Sequence, residues 1–287
     1  MKKAYNRHIR RTITGSFGRY IAIFAIVALG VGFFSGVKDT KASMLKTCDK
    51  YVTEHNMYDY RLVSTLGFTD EDVEALKETD GVSDAEGAST VDFFSTDSKG
   101  NDINIRAHSL SEKISTVELT SGRMPKAPGE CLADEHYFTD SDIGRTLKVT
   151  ERNDSATKKN LRYKGYEIVG LVTSPDYLMK TERGTGRIGD GSLDAFVYIS
   201  PAGFDMDCFT EMYVTSAKQG YVYSDEYNSN IKAEQKYVEA AADKRAGIRY
   251  EKIISKAKTK IKKAKQELAD GKEELQQQKY DTQQQLE

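Results

Sequence analysis

The hydrophobic pattern near the N-terminus is one uninterrupted run. From Tyr20 to Val37 the chain carries no charged residue, and Arg19 and Lys38 flank the run. Eighteen helical residues span about 27 Å, close to the thickness of the hydrocarbon layer. A cleaved signal peptide has a shorter apolar core, and the nearest small-x-small triplet, residues 40–42, carries a lysine. The pattern therefore favours a retained transmembrane helix, with a cleaved signal as the alternative.

Small residues within this run recur every four positions. Ala28, Gly32 and Gly36 therefore lie on one face of the predicted helix. This small-xxx-small arrangement lets membrane helices pack closely. We take these three residues as candidate transmembrane packing residues. The alternative is that glycine is simply frequent in membrane helices.

The next segment alternates between strand and helix patterns. Residues 57–65 have the period-two pattern of a strand. Thr69 is a good N-cap for a helix with an acidic first turn, Phe68 and Val73 can form a hydrophobic staple, and Gly81 ends the helix. Residues 83–96 read as a second strand. This stretch is predicted to be a β-α-β unit.

Short strand patterns, separated by glycine and proline, continue to about residue 225. They lie in residues 102–110, 122–135, 144–151, 163–174, 193–200 and 209–216. No long helical pattern interrupts them. Residues 38–225 are therefore predicted to form an α+β fold, a mixed α/β domain with a small β-rich subdomain.

The last 62 residues, 226–287, have the pattern of a long coiled-coil helix. Large apolar residues recur every seven positions, at Ile254, Ile261, Leu268 and Leu275, and we take them as the coiled-coil seam. Three residues after each stands Ala257, Ala264, Gly271 or Gln278, and the alanines and the glycine are small enough to favour close approach of an antiparallel helix. So narrow a stripe is poorly stabilised alone. We therefore expect an incomplete arm that lacks its second helix, or alternatively a solvated or self-associating tail.

Charge is distributed unevenly along the chain. The net charge of −2 combines six basic and no acidic residues in 1–19 with 19 acidic against 7 basic residues in 59–142. The basic stub before the apolar run predicts a cytoplasmic N-terminus and an extracytoplasmic position for everything after Lys38. An acidic body does not suit nucleic acid. The predicted segments are a stub at 1–19, a transmembrane helix at 20–37, the extracytoplasmic domain at 38–225 and the arm at 226–287.

Catalytic, cofactor-binding and metal-binding patterns are not found. Cys48, Cys131 and Cys208 are far apart and odd in number, so we expect free thiols, with one disulfide as the alternative. The triplet 134–136, Asp-Glu-His, is interpreted as a solvated turn. Residues 183–191, RGTGRIGDG, satisfy G-x-G-x-x-G, but a strand pattern follows instead of the helix that a dinucleotide site requires, so we predict a loop. No P-loop motif occurs, and the chain is not expected to be an enzyme.

The order of these segments resembles the first part of FtsX-like permeases with a MacB-like extracytoplasmic domain, the membrane subunits of mechanotransmission ABC transporters. The resemblance spans nearly the whole chain, and large permeases of this kind in Firmicutes look most similar. It is carried by GRYIAIFAIVALGVGFFSG, STLGFTDEDVEAL, GRMPKAPGECLADE, YEIVGLVTSPDYL, the RGTGRIGDG loop before LDAFVYIS, and ELADGKEEL.

The resemblance implies partners that the residues alone do not show. They are a cytoplasmic ABC ATPase subunit and the remaining FtsX-type transmembrane helices or a second permease copy. Membrane lipids are expected as partners from the basic N-terminus itself. The resemblance also implies a permease subunit that couples the ATPase to extracytoplasmic movement, for export or extraction of lipids, lipoproteins or peptides. The alternative function is a membrane-anchored regulatory module that binds an extracytoplasmic protein without transport.

Overall fold

The computed structural model describes residues 2–179, 182–218 and 220–286, and the chain divides into two compact units. One unit contains Met1–Glu54 with Tyr221–Tyr223. The other contains His55–Gly220 and Ser224–Glu287. We call the globular part of the second unit the body and its terminal helix the arm.

The first unit contains two helices. Helix α1 spans Lys2–Gly15 and helix α2 spans Phe17–Glu54. The predicted membrane run occupies the first half of α2, and the helix continues through the polar residues that follow it. The apolar side chains of the run are exposed along α2; Phe33, for example, is 76% exposed. Near the other end of α2, the Asp49 carboxylate accepts a hydrogen bond from the Val222 backbone N–H at 2.8 Å.

The body contains two β-sheets. The smaller sheet has the order β1-β10-β2, and β10 is antiparallel to both neighbours. Its strands are β1 (Tyr60–Phe68), β2 (Val82–Ala88) and β10 (Phe209–Ser216), and helix α3 (Asp70–Lys77) connects β1 to β2. The predicted strand, helix and strand are thus all present, but β10 separates the two strands because the chain returns between them.

The larger sheet has seven strands in the order β3-β4-β9-β6-β8-β5, with β7 paired to β8. The strands are β3 (Thr90–Thr96), β4 (Asp102–Ser109), β5 (Glu118–Gly122), β6 (Glu130–Asp134), β7 (Thr146–Lys148), β8 (Gly165–Thr173) and β9 (Ala195–Ile199). A short helix, α4 (Ser155–Asn160), lies between β7 and β8. The predicted α+β class is confirmed, since the chain combines an antiparallel sheet and a mixed sheet with an N-terminal apolar helix and a long C-terminal helix, α5 (Asp225–Leu286).

The prediction of a single strand over residues 83–96 is wrong. The chain forms β2 in the smaller sheet, passes Ser89, and continues as β3 in the larger sheet. At the crossing the Ser89 backbone N–H donates to the Ser109 hydroxyl at 2.9 Å. A side chain therefore satisfies this buried donor where the chain changes sheets.

Each sheet has its own hydrophobic core. The core of the larger sheet includes Phe93, Ile105 and Val197, all fully buried. The smaller sheet packs Met212 and Val214 of β10 against α3 and the base of α5. The arm therefore begins as part of the body's core.

Candidate functional site

The base of the arm is held in the body by burial. Val238 of α5 is 2% exposed and belongs to the core of the smaller sheet, with Ala241 packed beside it. The Tyr60 hydroxyl donates to the Ile231 carbonyl at 2.6 Å. A β1 side chain and the helix backbone are thereby joined. We call this contact region the joint.

Ion pairs extend the joint along α3. The Arg245 Nε donates to the Asp72 carboxylate at 2.6 Å, and Lys252 Nζ lies 3.1 Å from the Glu71 carboxylate. Asp72 also accepts the Thr69 backbone N–H at 2.8 Å, which closes a capping box at the start of α3. Burial opposes ionisation of Asp72, but the hydrogen bonds from Thr69 and Arg245 lower its pKa overall. One carboxylate therefore caps α3 and binds the arm.

A glycine permits the close approach of the arm to the end of α3. Gly81 has a φ of +87°, which an L-residue rarely adopts, and an added Cβ would lie 2.9 Å from the Glu234 side chain of α5. The Glu234 carboxylate is buried and accepts a hydrogen bond from the Ser216 hydroxyl. Gly81 thus makes room for the arm, whereas α3 ends earlier, at Lys77, with Glu78 as its C-cap.

The predicted seam residues lie on the free part of the arm. Ile254 is half-buried, whereas Ile261, Leu268 and Leu275 are 53–60% exposed. Every residue from Ser255 to Lys279 is exposed. The helix continues across the whole seam. An uncovered apolar stripe on a helix that projects from a core is suited to receive a second helix.

The predicted packing residues of the first unit are also uncovered. Ala28, Gly32 and Gly36 lie on α2, and a Cβ added at Gly32 or Gly36 would meet nothing within 4 Å. Among the described residues, α2 is the one helix that is long and apolar enough to cross a bilayer. A larger side chain at either glycine would leave the chain's own contacts intact.

Between the two sheets lies a cleft of about 500 Å³ that the sequence did not indicate. Two buried carboxylates hold arginines in its wall: Glu211 with Arg61, and Asp92 with Arg106 at 2.7 and 2.9 Å. Both arginines are paired in two-point geometry, so their charge is already compensated. Each pair lies within one sheet, Arg61–Glu211 in the smaller and Asp92–Arg106 in the larger, so the cleft is lined by polar groups of both sheets.

A third such pair corrects the interpretation of residues 134–136 as a solvated turn. Asp134 is 1% exposed, and its carboxylate accepts two hydrogen bonds from Arg183, at 2.5 and 3.1 Å. Arg183 is itself 7% exposed. Glu135 is partly exposed and His136 is exposed, so the turn interpretation is right for these two residues alone. Among the described residues, no three or more histidine, cysteine, aspartate or glutamate side chains are grouped so that they could hold a metal ion.

The glycine-rich stretch 183–191 is a loop, as predicted. It precedes β9, and the Gly186 backbone N–H donates to the Gly191 carbonyl at 2.7 Å. The Asn104 amide donates to the Ser192 carbonyl at 2.5 Å, which fixes the loop on β4. A strand follows the loop, so the helix N-terminus that a pyrophosphate would need is not formed there.

The three cysteines are free thiols. Cys131 is fully buried, and burial raises the pKa of its thiol well above the usual value. Cys48 and Cys208 are half-buried and lie in different units. The expectation of unpaired cysteines agrees with this arrangement.

Two titratable groups share the cleft wall and oppose each other in their response to pH. His108 is buried, its Nε2 lies 2.6 Å from the Tyr177 hydroxyl, and burial lowers its pKa from 6.5 to about 3. Burial raises the pKa of Asp176 from 3.8 to about 6, although Ser115 and Tyr198 donate hydrogen bonds to it. Stability owed to neutral His108 is present above pH 6.5 and is lost as the pH falls towards 3. Stability linked to Asp176 is full below pH 3.8 and is lost as the pH rises through 6.

We expect His108→Gln to reduce the loss of unfolding free energy that accompanies a fall in pH from about 6.5 to 4.5. The reason is that glutamine does not bind the proton that the unfolded histidine binds. Asp176→Asn should have the opposite effect and make that loss steeper. Urea unfolding at several pH values measures both slopes. Equal slopes in the wild type and both variants would contradict the assignment.

Comparisons with known proteins identify similar solved structures only. No family model matches the chain, and no curated protein matches it. The chain is similar to the extracellular domain of the noncanonic ABC-type transporter YknZ from Gram-positive bacteria, with a TM-score of 0.36 and 13% identity over 58% of this chain and 80% of that one. It is also similar to the periplasmic region of MacB from Actinobacillus actinomycetemcomitans, with a TM-score of 0.31 and 10% identity over 59% of this chain and 72% of that one. The functional proposal rests on the features of this chain.

Proposed function

We propose that the chain is the N-terminal part of a permease subunit of a mechanotransmission-type ABC transporter. In this role it couples a cytoplasmic ATPase to movement outside the membrane, for export or extraction of lipids, lipoproteins or peptides. The observation that carries the proposal is the joint. A helix whose base is packed into the body's core, and whose distal half is free, acts as a lever that moves with the body.

The N-terminal unit supplies the membrane end of this proposal. Its α2 helix holds the uncharged run 20–37, and six basic residues precede the run. Such a charge pattern favours a cytoplasmic N-terminus and contact with anionic membrane lipids. The body and arm then lie outside, and α2 packs against further membrane helices or a second permease copy through Ala28, Gly32 and Gly36.

Coupling follows from rigidity in this proposal. When the membrane helices shift, a packed body transmits the displacement, because well-packed cores deform little. The Arg245–Asp72 contact and the burial of Val238 pass it to the arm. The chain binds no nucleotide in this scheme, and the separate ATPase supplies the energy.

The exposed seam also favours the second candidate, a membrane-anchored module that binds an extracytoplasmic protein. The two functions differ in the partner that copurifies from membranes. A permease brings an ATPase subunit with it. A module brings an extracytoplasmic protein and no ATPase activity.

Substitution of Gly32 tests the proposal directly. We expect Gly32→Leu to reduce copurification of the ATPase subunit and membrane partner several-fold, because leucine prevents close approach of helices. Gly30→Leu is the matched control, since Gly30 lies two residues away on another face of α2 and is equally open. Detergent extraction, affinity purification of the full chain and an ATPase assay give the readout. Equal copurification of both variants would refute the packing face, and absence of ATPase from the wild type would refute the permease.

A further inference from the structure

Lysines form a straight line beside the seam on the free part of the arm. One stands four residues after each seam residue, and all four are exposed. They are Lys258, Lys265, Lys272 and Lys279. A spacing of seven keeps them on one edge of the apolar stripe. We call this edge the lysine ridge.

The sizes of the seam residues determine the direction of the partner helix. A parallel copy would place Leu268 against Leu268 and Gly271 against Gly271, so crowded layers would alternate with empty ones. An antiparallel copy would instead place Leu268 opposite Ala264 and Ile261 opposite Gly271, so that these large side chains meet small ones. Close packing therefore favours an antiparallel partner.

The charge along the ridge disfavours a second copy of this arm as that partner. In an antiparallel pair, the same edge of each helix faces its counterpart. Lys265 would then lie beside Lys265 of the copy, and Lys258 beside Lys272. Three of the four ridge lysines would thus meet a lysine, and only Lys279 would meet an acid, Glu251 of the copy, so the ridge is unfavourable for a second copy.

We infer that the arm is built to bind an antiparallel helix with glutamate or aspartate along the edge that faces the lysine ridge. This partner helix carries large apolar residues opposite Ala257, Ala264 and Gly271. The base of the arm already uses such complementarity, since its Arg245 and Lys252 bind the acidic first turn of α3. The inference rests on the proposed function only in treating the arm as one half of a transmitting element.

Two synthetic helices of about 28 residues test the inference. They share a leucine seam complementary to the arm and differ at four edge positions, which are glutamate in one and lysine in the other. Fluorescence anisotropy with the purified full chain in detergent micelles measures binding. We expect the glutamate peptide to bind about tenfold more tightly or better, and the difference to shrink at high salt.

Matched variants of the chain test whether the preference for the glutamate peptide depends on the lysine ridge. Lys258→Glu, Lys265→Glu and Lys272→Glu together should reverse the preference between the two peptides. Lys256→Glu, Lys262→Glu and Lys263→Glu change the charge equally on faces away from the ridge and should leave the preference in place. All six lysines are exposed, so the fold itself is left intact.

The orientation of the bound peptide can be measured separately by fluorescence, because the chain contains no tryptophan of its own. Gln277→Trp places a single fluorescence donor near the distal end of the seam. A dansyl acceptor should quench it when attached to the peptide N-terminus and not when attached to the C-terminus. Stronger quenching from the C-terminus, equal affinity for both peptides, or a stable homodimer of the full chain through the arm would each overturn the inference. None of these results depends on the ATPase, so the inference can fail without affecting the proposed function.

Discussion

Replacing Arg183 with alanine will destabilise the body by about 3–5 kcal/mol, the usual cost of leaving a buried charge without its partner. Asp134 is 1% exposed, and its carboxylate receives both hydrogen bonds from this guanidinium. In a domain of this size, the melting temperature should fall by about 10 °C. Thermal unfolding followed by circular dichroism measures the change.

A surface pair provides the control for this prediction. Arg123 donates to Glu130 at 2.6 Å in similar geometry, but its side chain is 45% exposed. Arg123→Ala should therefore lower the melting temperature by far less than Arg183→Ala does. A further comparison, Arg183→Lys, should recover part of the stability, since an ammonium restores charge without the two-point geometry. If Arg183→Ala and Arg123→Ala cost the same, water reaches Asp134 and the pair is not a buried one.

Replacing Val238 with aspartate should release the arm from the body. The side chain is 2% exposed among Val73, Leu76 and Met212, and an unpaired carboxylate there costs about 3–5 kcal/mol. Because the penalty falls on the joint, we expect faster hydrogen exchange in residues 231–252 and in α3. The larger sheet should keep its protection, since its core is separate.

The same helix contains the control for the joint. Ile261→Asp makes the same kind of change at a site that is 57% exposed, so it should alter stability by about 0.5 kcal/mol or less. In membranes, Val238→Asp should abolish coupling between ATPase activity and transport under the proposed function, with ATP hydrolysis retained. Unchanged exchange at the joint in Val238→Asp would show that the arm's base is not anchored by burial.

Helices were the elements most readily predicted from sequence, because their signals are local. The uncharged run of α2, the cap at Thr69 and the seven-residue repeat of α5 each lie within a few turns. The strands were also recognised, since alternation and turn residues are local as well. Where the outcome depended on sheet membership, local signals failed: residues 83–96 look continuous, yet Ser89 divides them between two sheets.

The polar contacts that hold the body together join residues far apart in sequence. Asp134 and Arg183 are separated by 49 positions, and Asp72 and Arg245 by 173. The sequence marked 134–136 as a turn and Asp72 as a helix-cap residue, and neither pattern names a distant partner. Pairing of buried charges depends on which surfaces the fold brings together, and no local period encodes that.

Local chemistry alone was enough to establish an apolar helix near the N-terminus, a strand-rich body and an arm with a large-small seam, because hydrophobic period and helix capping act over a few residues. Tertiary packing decided that the arm is rooted in the smaller sheet's core, that buried carboxylates such as Asp134 and Asp72 are matched to arginines, and that the lysine ridge is left facing solvent. These features arise from desolvation and close contact, which exist only once distant segments have met.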